Sequence, residues 1–176
     1  MTTFIDLLKQ RRSTRKFENR QVEGVKIEKI LQAALMAPSS KRSTPWHFVV
    51  VDKKEILEKM ALCREMGSKF LENAPLAIVV LAEETKSDVW VEDAAIAAIL
   101  MQLEAEDLGL GSCWIQVRGR HKDDSITAEA YLQELINAPS DLKIECIIAI
   151  GYKDEEKKPF DESKLQTDKV HRNSFS

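Results

Sequence analysis

The chain has 176 residues, the length of one ordinary domain, and its 44% hydrophobic and 31% charged residues are typical of a globular protein rather than a disordered or membrane one. The net charge of −3 gives no overall attraction to nucleic acid. Residues 1–4 show no secretory signal, and the three cysteines have no metal or disulfide spacing, so we expect a cytoplasmic protein that uses no metal and binds neither nucleic acid nor membrane.

Apolar periodicity and breaker residues predict helices that alternate with buried strands. In chain order these are helices at 3–10 and 22–37, a strand at 46–51, a helix at 54–62, a partly helical stretch at 67–75, a strand at 76–82, a long helix at 87–108, a strand at 112–117, a helix at 126–136 and a strand at 144–151. The apolar runs of the strands are continuous rather than alternating, which indicates a sheet covered on both faces. The pattern predicts an α/β or α+β domain with four or five strands.

The long helix is the centre of this prediction. Ser87 or Asp88 is placed to cap its start, and Gly109 to provide the left-handed residue after its end. Residues 91–103 contain only three polar side chains, so the helix has no hydrophilic face. Such a helix is either central to a domain or shared between two subunits.

The tail from about residue 152 is polar and without periodicity, but it carries spaced apolar residues. These are Pro159, Phe160, Leu165, Val170 and Phe175. They suit an arm that wraps a second subunit, whereas the composition of the tail suits a frayed terminus equally well.

A basic cluster follows the first helix: Arg11, Arg12, Arg15 and Lys16, with the hydroxyl of Ser13 between them. Guanidinium forks and hydroxyls match the chemistry of a phosphate monoester. The alternative is that these cations favour the helix dipole and are otherwise solvated. The polar loop at 38–44 is either a set of backbone donors for a heteroaromatic ring or an ordinary helix-to-strand connection.

Four segments, in this order, resemble the FMN-dependent nitroreductase family over nearly the whole chain. They are RRSTRKF at 11–17, APSS leading to PWHF at 37–48, LGLGSCWI at 108–115 and AIGY at 149–152. The resemblance implies one α+β domain, 1–176, in three layers, with a mixed, mostly antiparallel sheet of four to five strands. It also implies a homodimer with FMN at the subunit interface, the long helix at that interface, and C-terminal arms (about 152–176) exchanged between subunits.

The family's flavin contacts carry over to matching positions of this chain. Contacts to the phosphate, the ribityl chain and the pyrimidine edge match Arg11, Arg12, Ser13 and Arg15. The loop that the other subunit lays along the isoalloxazine matches Pro38, Ser39, Ser40 and Arg42. The segment that passes N5 matches Trp114, Ile115 and Gln116, and a second phosphate-binding cation matches Lys164. Arg42 and Thr44 stand where the family commonly has Asn and Gln, which changes the polarity near the ring.

The resemblance further implies a ping-pong reaction in which NADH or NADPH gives hydride to flavin N5 and a nitroaromatic, quinone or similar small acceptor then takes two electrons. No protein side chain is assigned as a catalytic acid or base. Two alternatives remain: an FMN-binding relative with other chemistry, such as dehalogenation or flavin breakdown, and a non-catalytic flavin-binding or redox-sensing protein. A third, without flavin, is an interaction module that docks through its arginines.

Overall fold

The computed structural model describes residues 3–175. Met1, Thr2 and Ser176 of the predicted single domain lie outside the described residues. Four antiparallel strands form one sheet in the order β1-β2-β4-β3. The strands are β1 (Trp46–Val51), β2 (Leu76–Glu83), β3 (Gly111–Gln116) and β4 (Leu142–Gly151), and the helices are α1 (Phe4–Gln10), α2 (Gly24–Leu35), α3 (Lys54–Met60), α4 (Trp90–Asp107) and α5 (Ala128–Leu135).

Both faces of the sheet are buried, as the continuous apolar runs predict. Along β2, Val79 faces α3 and α5, whereas Ile78 and Val80 face α2 and α4. The three-layer prediction is therefore confirmed. The expectation of a mixed sheet is wrong for the strands, because every neighbouring pair is antiparallel. Parallel pairing among the described residues is limited to one bridge between Ser13 and Ser112, where the N-terminal segment touches the edge of β3 and then turns away.

The ends of the helices show where local signals determine structure. Thr3 and Asp6 form a capping box at the start of α1. Gly109 has φ +76 directly after α4, as predicted. The predicted cap at Ser87 or Asp88 is wrong: the N-cap position is Val89 and has no side-chain cap. The Ser87 hydroxyl instead accepts from the amide of Val89 at 3.3 Å, before the helix begins, and donates to the buried carboxylate of Asp93 at 2.8 Å.

Helix α4 packs one side on the sheet and leaves apolar side chains on another. Ala97, Ala98 and Met101 are fully buried, whereas Ile96 and Ile99 are 37% and 39% exposed. Helix α1, which contacts α4, also exposes Phe4 and Ile5. In a single chain, an apolar surface on these two helices is therefore left uncovered. Among residues 3–175, no helix combines the length and apolarity that a membrane crossing requires.

The tail first runs back along the N-terminal segment of its own chain. Phe17 bridges Lys153, and the amide of Phe160 donates to the carbonyl of Lys9 at 2.8 Å. From Glu162 onward the tail forms two short 3₁₀ turns, Glu162–Lys164 and Thr167–Lys169. The predicted wrapping of a partner by this arm stays a prediction.

Candidate functional site

The arginine segment is fixed against the outer edge of β3. The amide of Thr14 donates to the carbonyl of Ser112 at 2.9 Å, next to the Ser13–Ser112 bridge. Gly111 allows this approach: a Cβ there would lie 2.6 Å from the Thr14 hydroxyl. From the other side, the buried Gln102 of α4 donates to the Ser112 hydroxyl at 3.2 Å. The central helix and strand therefore set the position of residues 13–15.

A cleft of about 400 Å³ opens between this segment and the tail. Its lining residues are Leu8, Arg11, Arg12, Ser13, Arg15, Lys157 and Phe160. The lining holds four cations and no carboxylate, and no ion pair among residues 3–175 includes any of the three arginines. Uncompensated guanidinium groups around a hydroxyl form an anion site with the chemistry of a phosphate pocket. The predicted grouping of Arg11, Arg12, Ser13 and Arg15 is therefore present in space.

The tail holds the other wall of the cleft in place. Glu155 accepts from the amides of Arg15 (2.6 Å) and Lys16 (3.2 Å) and pairs with Lys157 at 3.2 Å. The ammonium of Lys157 donates to the carbonyl of Ser13. The amide of Arg15 is the main reason that the pKa of Glu155 lies below its ordinary value. A negative Glu155 thus ties the tail to the arginine segment.

The positive field of this cluster extends to β3. Burial raises the pKa of the Cys113 thiol, and the charges of Arg15, Lys157 and Arg11 oppose that rise. Cys113 is 1% exposed, so it is a small core residue rather than an accessible thiol. Arg15 also lies over the ring of Phe70, with 5.9 Å between the guanidinium carbon and the ring centroid.

The predicted ring-contacting residues of β3 differ in exposure. Trp114 and Gln116 are half-buried, and the Trp114 indole N–H donates to Gln116 Oε1 at 2.9 Å. The side chain of Ile115 is 1% exposed and belongs to the core, so only its backbone is available to a ligand. On its outer side β3 is paired only at Ser112 in the described part of the chain.

The loop at 38–44 has unusual backbone dihedral angles, and a buried carboxylate holds it in place. Lys41, Arg42 and Thr44 have φ of 52°, 57° and 42°. Positive φ is unfavourable for these residue types, above all for β-branched Thr44, and such strain concentrates at functional sites. Asp93 of α4, 3% exposed, accepts from the amide of Ser40 at 2.9 Å.

Further hydrogen bonds complete this anchor. The hydroxyls of Ser43 (3.4 Å) and Ser87 (2.8 Å) also donate to Asp93, and the Ser39 hydroxyl accepts from the amide of Thr44 at 2.9 Å. The loop is therefore a rigid, exposed element fixed to the first turn of the central helix. Pro38, Ser39, Ser40 and Arg42 all belong to it, as predicted.

One chain does not bring this loop and the arginine segment together. The loop leads into Trp46 of β1, which is in register with Lys143 of β4 through Ala82, whereas Ser13 is bridged to Ser112, opposite Ile150 of β4. Trp46 and Ser112 therefore lie at diagonal corners of the sheet, about 14 Å apart across the strands and about 23 Å along them, or roughly 27 Å in all. That separation exceeds the length of one FMN molecule.

Two participants are absent from the sequence prediction. Lys157 lines the cleft, whereas the predicted tail cation Lys164 lies in an exposed 3₁₀ turn and is not in the cleft lining. Phe160, one of the spaced apolar residues of the tail, indicates that docking begins near Lys157. Asp93 is the second participant. Its place in an apolar helix is the sequence signal that could have identified it, since a carboxylate is seldom buried without partners.

Comparison with known proteins gives the same family that the motifs indicate. The nitroreductase family model matches residues 8–63 and 62–152. A protein of Archaeoglobus fulgidus, provisionally named NADH dehydrogenase/NAD(P)H nitroreductase, is 35% identical over 180 residues, which cover 99% of this chain and all of that protein. The iodotyrosine deiodinase of Thermotoga neapolitana is 24% identical over 89% of this chain and 92% of its own.

Solved structures agree with this result. An FMN-dependent nitroreductase from Clostridium difficile R20291 is 55% identical and superposes with a TM-score of 0.96, over 98% of this chain and 100% of that one. An NADH oxidase, so named provisionally, from Clostridium acetobutylicum is 33% identical with a TM-score of 0.88, over 97% and 100% of the two chains. The resemblance drawn from the motifs is confirmed: this chain belongs to the nitroreductase family.

Proposed function

We propose that this chain is an FMN-dependent oxidoreductase that moves two electrons from NADH or NADPH to a small acceptor such as a quinone or nitroaromatic compound. The observation that carries the proposal is the cleft of Arg11, Arg12, Ser13, Arg15 and Lys157 at the edge of β3, without a carboxylate in its lining. The names of the similar proteins from Clostridium difficile and Archaeoglobus fulgidus support it.

The residues present fit FMN. Arg11, Arg12 and Lys157 would hold the phosphate, since a dianion needs several cationic donors within a small space. Ser13 adds a hydroxyl, and Arg15, which lines the cleft and also lies over the ring of Phe70, would face the ring system. When bound, FMN would supply the redox chemistry, the two-electron transfer from the NAD(P)H donor to the acceptor.

The chain's own contribution is binding, orientation and electrostatics. The outer edge of β3 provides a flat, fixed backbone at Trp114 and Gln116 along which a planar ring can lie. The charge of Arg15 favours negative charge that develops at the pyrimidine edge of such a ring. Among residues 3–175 the site offers no evident proton-donating side chain, so we assign no general acid or base.

The proposed site is completed by a second copy of the chain. The loop at 38–44 leads into Trp46, roughly 27 Å from the edge of β3 that holds the arginine segment of its own chain, so it reaches a shared flavin only from a partner subunit. The uncovered apolar side chains of α1 and α4, including Phe4, Ile96 and Ile99, suit the interface of such a dimer. The tail beyond residue 162 would then contact the partner.

The test is the visible spectrum of the purified protein, followed by turnover. Flavin bands, release of FMN on denaturation, and oxidation of NADH or NADPH that depends on an added quinone are expected. A protein that takes up no FMN would overturn the proposal. Reduction by NAD(P)H without turnover of quinones or nitro compounds, together with release of halide from a halogenated phenol, would indicate instead the dehalogenation chemistry that the name of the Thermotoga relative describes.

A further inference from the structure

Arg64 is a cation next to the proposed ring site that the proposed function does not use. It is half-buried, and its Nη1 donates to the main-chain carbonyl of Gln116, at the end of β3, at 3.2 Å. No ion pair among residues 3–175 includes it. A guanidinium has several N–H donors in a planar fork, so one bond to a carbonyl leaves most of them for another acceptor.

The loop that carries Arg64 is fixed before any ligand arrives. Cys63 is fully buried in the core, and the buried hydroxyl of Ser68 donates to the carbonyls of Ala61 (2.8 Å) and Arg64 (3.3 Å). Gly67, at φ +89, packs on the guanidinium: a Cβ there would lie 3.7 Å from its central carbon. The side chain is therefore held in position, and less entropy is lost when it binds an anion.

The position of Arg64 along β3 excludes the flavin phosphate as its partner. The phosphate cleft adjoins Ser112, whereas Arg64 binds at Gln116, about 13 Å further along the strand. Arg64 thus lies at the end of the β3 edge that the proposed ring occupies, remote from the cations that hold the phosphate.

We propose that Arg64 binds a carboxylate or phosphate of the molecule that lies on the flavin ring, so that anionic compounds are preferred over neutral ones of the same shape. This inference rests on the proposed function, because the flavin is what brings a second planar molecule to Gln116. The oxyanion has two possible sources in a ping-pong reaction: the acceptor, or the phosphates of the dinucleotide donor. Separate measurements on the two half-reactions distinguish them.

The acceptor test uses two compounds that differ in charge and hardly in shape, 4-nitrobenzoate and 4-nitrobenzamide. In the Arg64→Gln variant, kcat/KM for 4-nitrobenzoate is expected to fall about 10- to 100-fold, the range of a lost charge-assisted hydrogen bond, while the value for 4-nitrobenzamide is unchanged. Arg64→Lys, which keeps the charge but not the fork, should lose less. The matched control is Arg120→Gln, an exposed arginine outside the site, which should change neither value.

The donor test measures the rate of flavin reduction by NADH and by NADPH in the same variants. A loss with both donors, and none with 4-nitrobenzoate, assigns the diphosphate that NADH and NADPH share as the partner of Arg64. A loss with NADPH alone assigns the 2′-phosphate that only NADPH carries. Calorimetric titration of the FMN-loaded protein with 4-nitrobenzoate gives a readout without turnover, and weaker binding by Arg64→Gln is expected if the acceptor is the partner.

Two failures are distinguishable. A wild-type protein that binds FMN and reduces 4-nitrobenzamide with NADH or NADPH meets the proposed function whatever Arg64 does. If Arg64→Gln then affects both acceptors equally, or affects neither acceptor and neither donor beyond the Arg120→Gln control, the inference about Arg64 is overturned. If the wild-type protein binds no FMN, the proposed function and this inference both fall.

Discussion

Replacing Asp93 tests whether the buried carboxylate holds the strained loop at 38–44. In Asp93→Ala the amide of Ser40 and the hydroxyl of Ser87 lose their acceptor. Water cannot easily replace it at Ser87, because that residue is only 6% exposed. A buried donor without a partner costs about 1–3 kcal/mol, so the two together cost about 2–6 kcal/mol of unfolding free energy. Asp93→Asn keeps an acceptor for the Ser40 amide but replaces Oδ2, which accepts from Ser87, by an NH2 group. The Ser87 hydroxyl can rotate to accept from that group, so the cost is about 1–2 kcal/mol.

The loss of the anchor should also release the loop, since Lys41, Arg42 and Thr44 hold unfavourable φ values only while the structure around them fixes them. Urea unfolding at one fixed protein concentration measures the global loss, because a dimer's stability depends on concentration. Trypsin cleavage after Lys41 and Arg42, followed by mass spectrometry, measures release of the loop itself. Faster cleavage is expected in Asp93→Ala than in Asp93→Asn.

The control is Glu92→Ala, because Glu92 is an exposed carboxylate in the same helical turn. It removes the same favourable charge from the N-terminus of α4, an effect of about 0.3–1 kcal/mol, without touching the loop. If Asp93→Ala loses no more stability than Glu92→Ala, and trypsin cleaves the loop at the wild-type rate, the anchoring role of Asp93 is refuted.

Two other changes test the geometry of the cleft. Gly111→Ala should destabilise the fold by about 1–3 kcal/mol and weaken FMN binding, because the new Cβ meets Thr14 at 2.6–2.7 Å and displaces residues 13–15. The control, Gly24→Ala, has open space around the new Cβ and should do neither. Equal effects of the two substitutions would contradict the steric argument. Glu155→Gln should lower the free energy of unfolding at neutral pH. Because the pKa of Glu155 is depressed in the folded state, the difference from wild type should disappear as the pH falls below the ordinary value of 4.5 and through the folded pKa. A difference that stays constant down to that acid range in urea unfolding would exclude the Glu155 contact as its cause.

Much of the fold follows from local sequence. Continuous apolar runs indicated the strands because a sheet covered on both faces needs apolar residues at every position, as in β2, where the residues from Leu76 to Ala82 are all at most 1% exposed. The cap of α4 failed as a prediction because Ser87 lies in the turn before the helix, where its hydroxyl accepts from Val89 and donates to the buried Asp93. That choice depends on tertiary burial, which capping propensities do not contain.

The site was predictable in its parts but not in its arrangement. Arginines and a hydroxyl in residues 11–15 carry phosphate chemistry in the sequence itself, and the structure groups them in one cleft. That Lys157 rather than Lys164 lines this cleft depends on where the tail turns back along residues 9–18, and no periodic pattern fixes that path. Arg64 gave no signal, because its meaning comes from contact with Gln116, far away in the chain.

The most direct measurement is the affinity of the flavin-depleted protein for FMN and for riboflavin, which lacks the phosphate. Wild type should bind FMN about 100-fold or more tightly, since at least two charge-assisted hydrogen bonds depend on the phosphate. In an Arg11→Gln/Arg12→Gln variant this preference should fall at least about tenfold while riboflavin affinity is unchanged. Equal affinities of wild type for the two flavins, or a preference that survives loss of both arginines, would contradict the assignment of the cleft as the phosphate site.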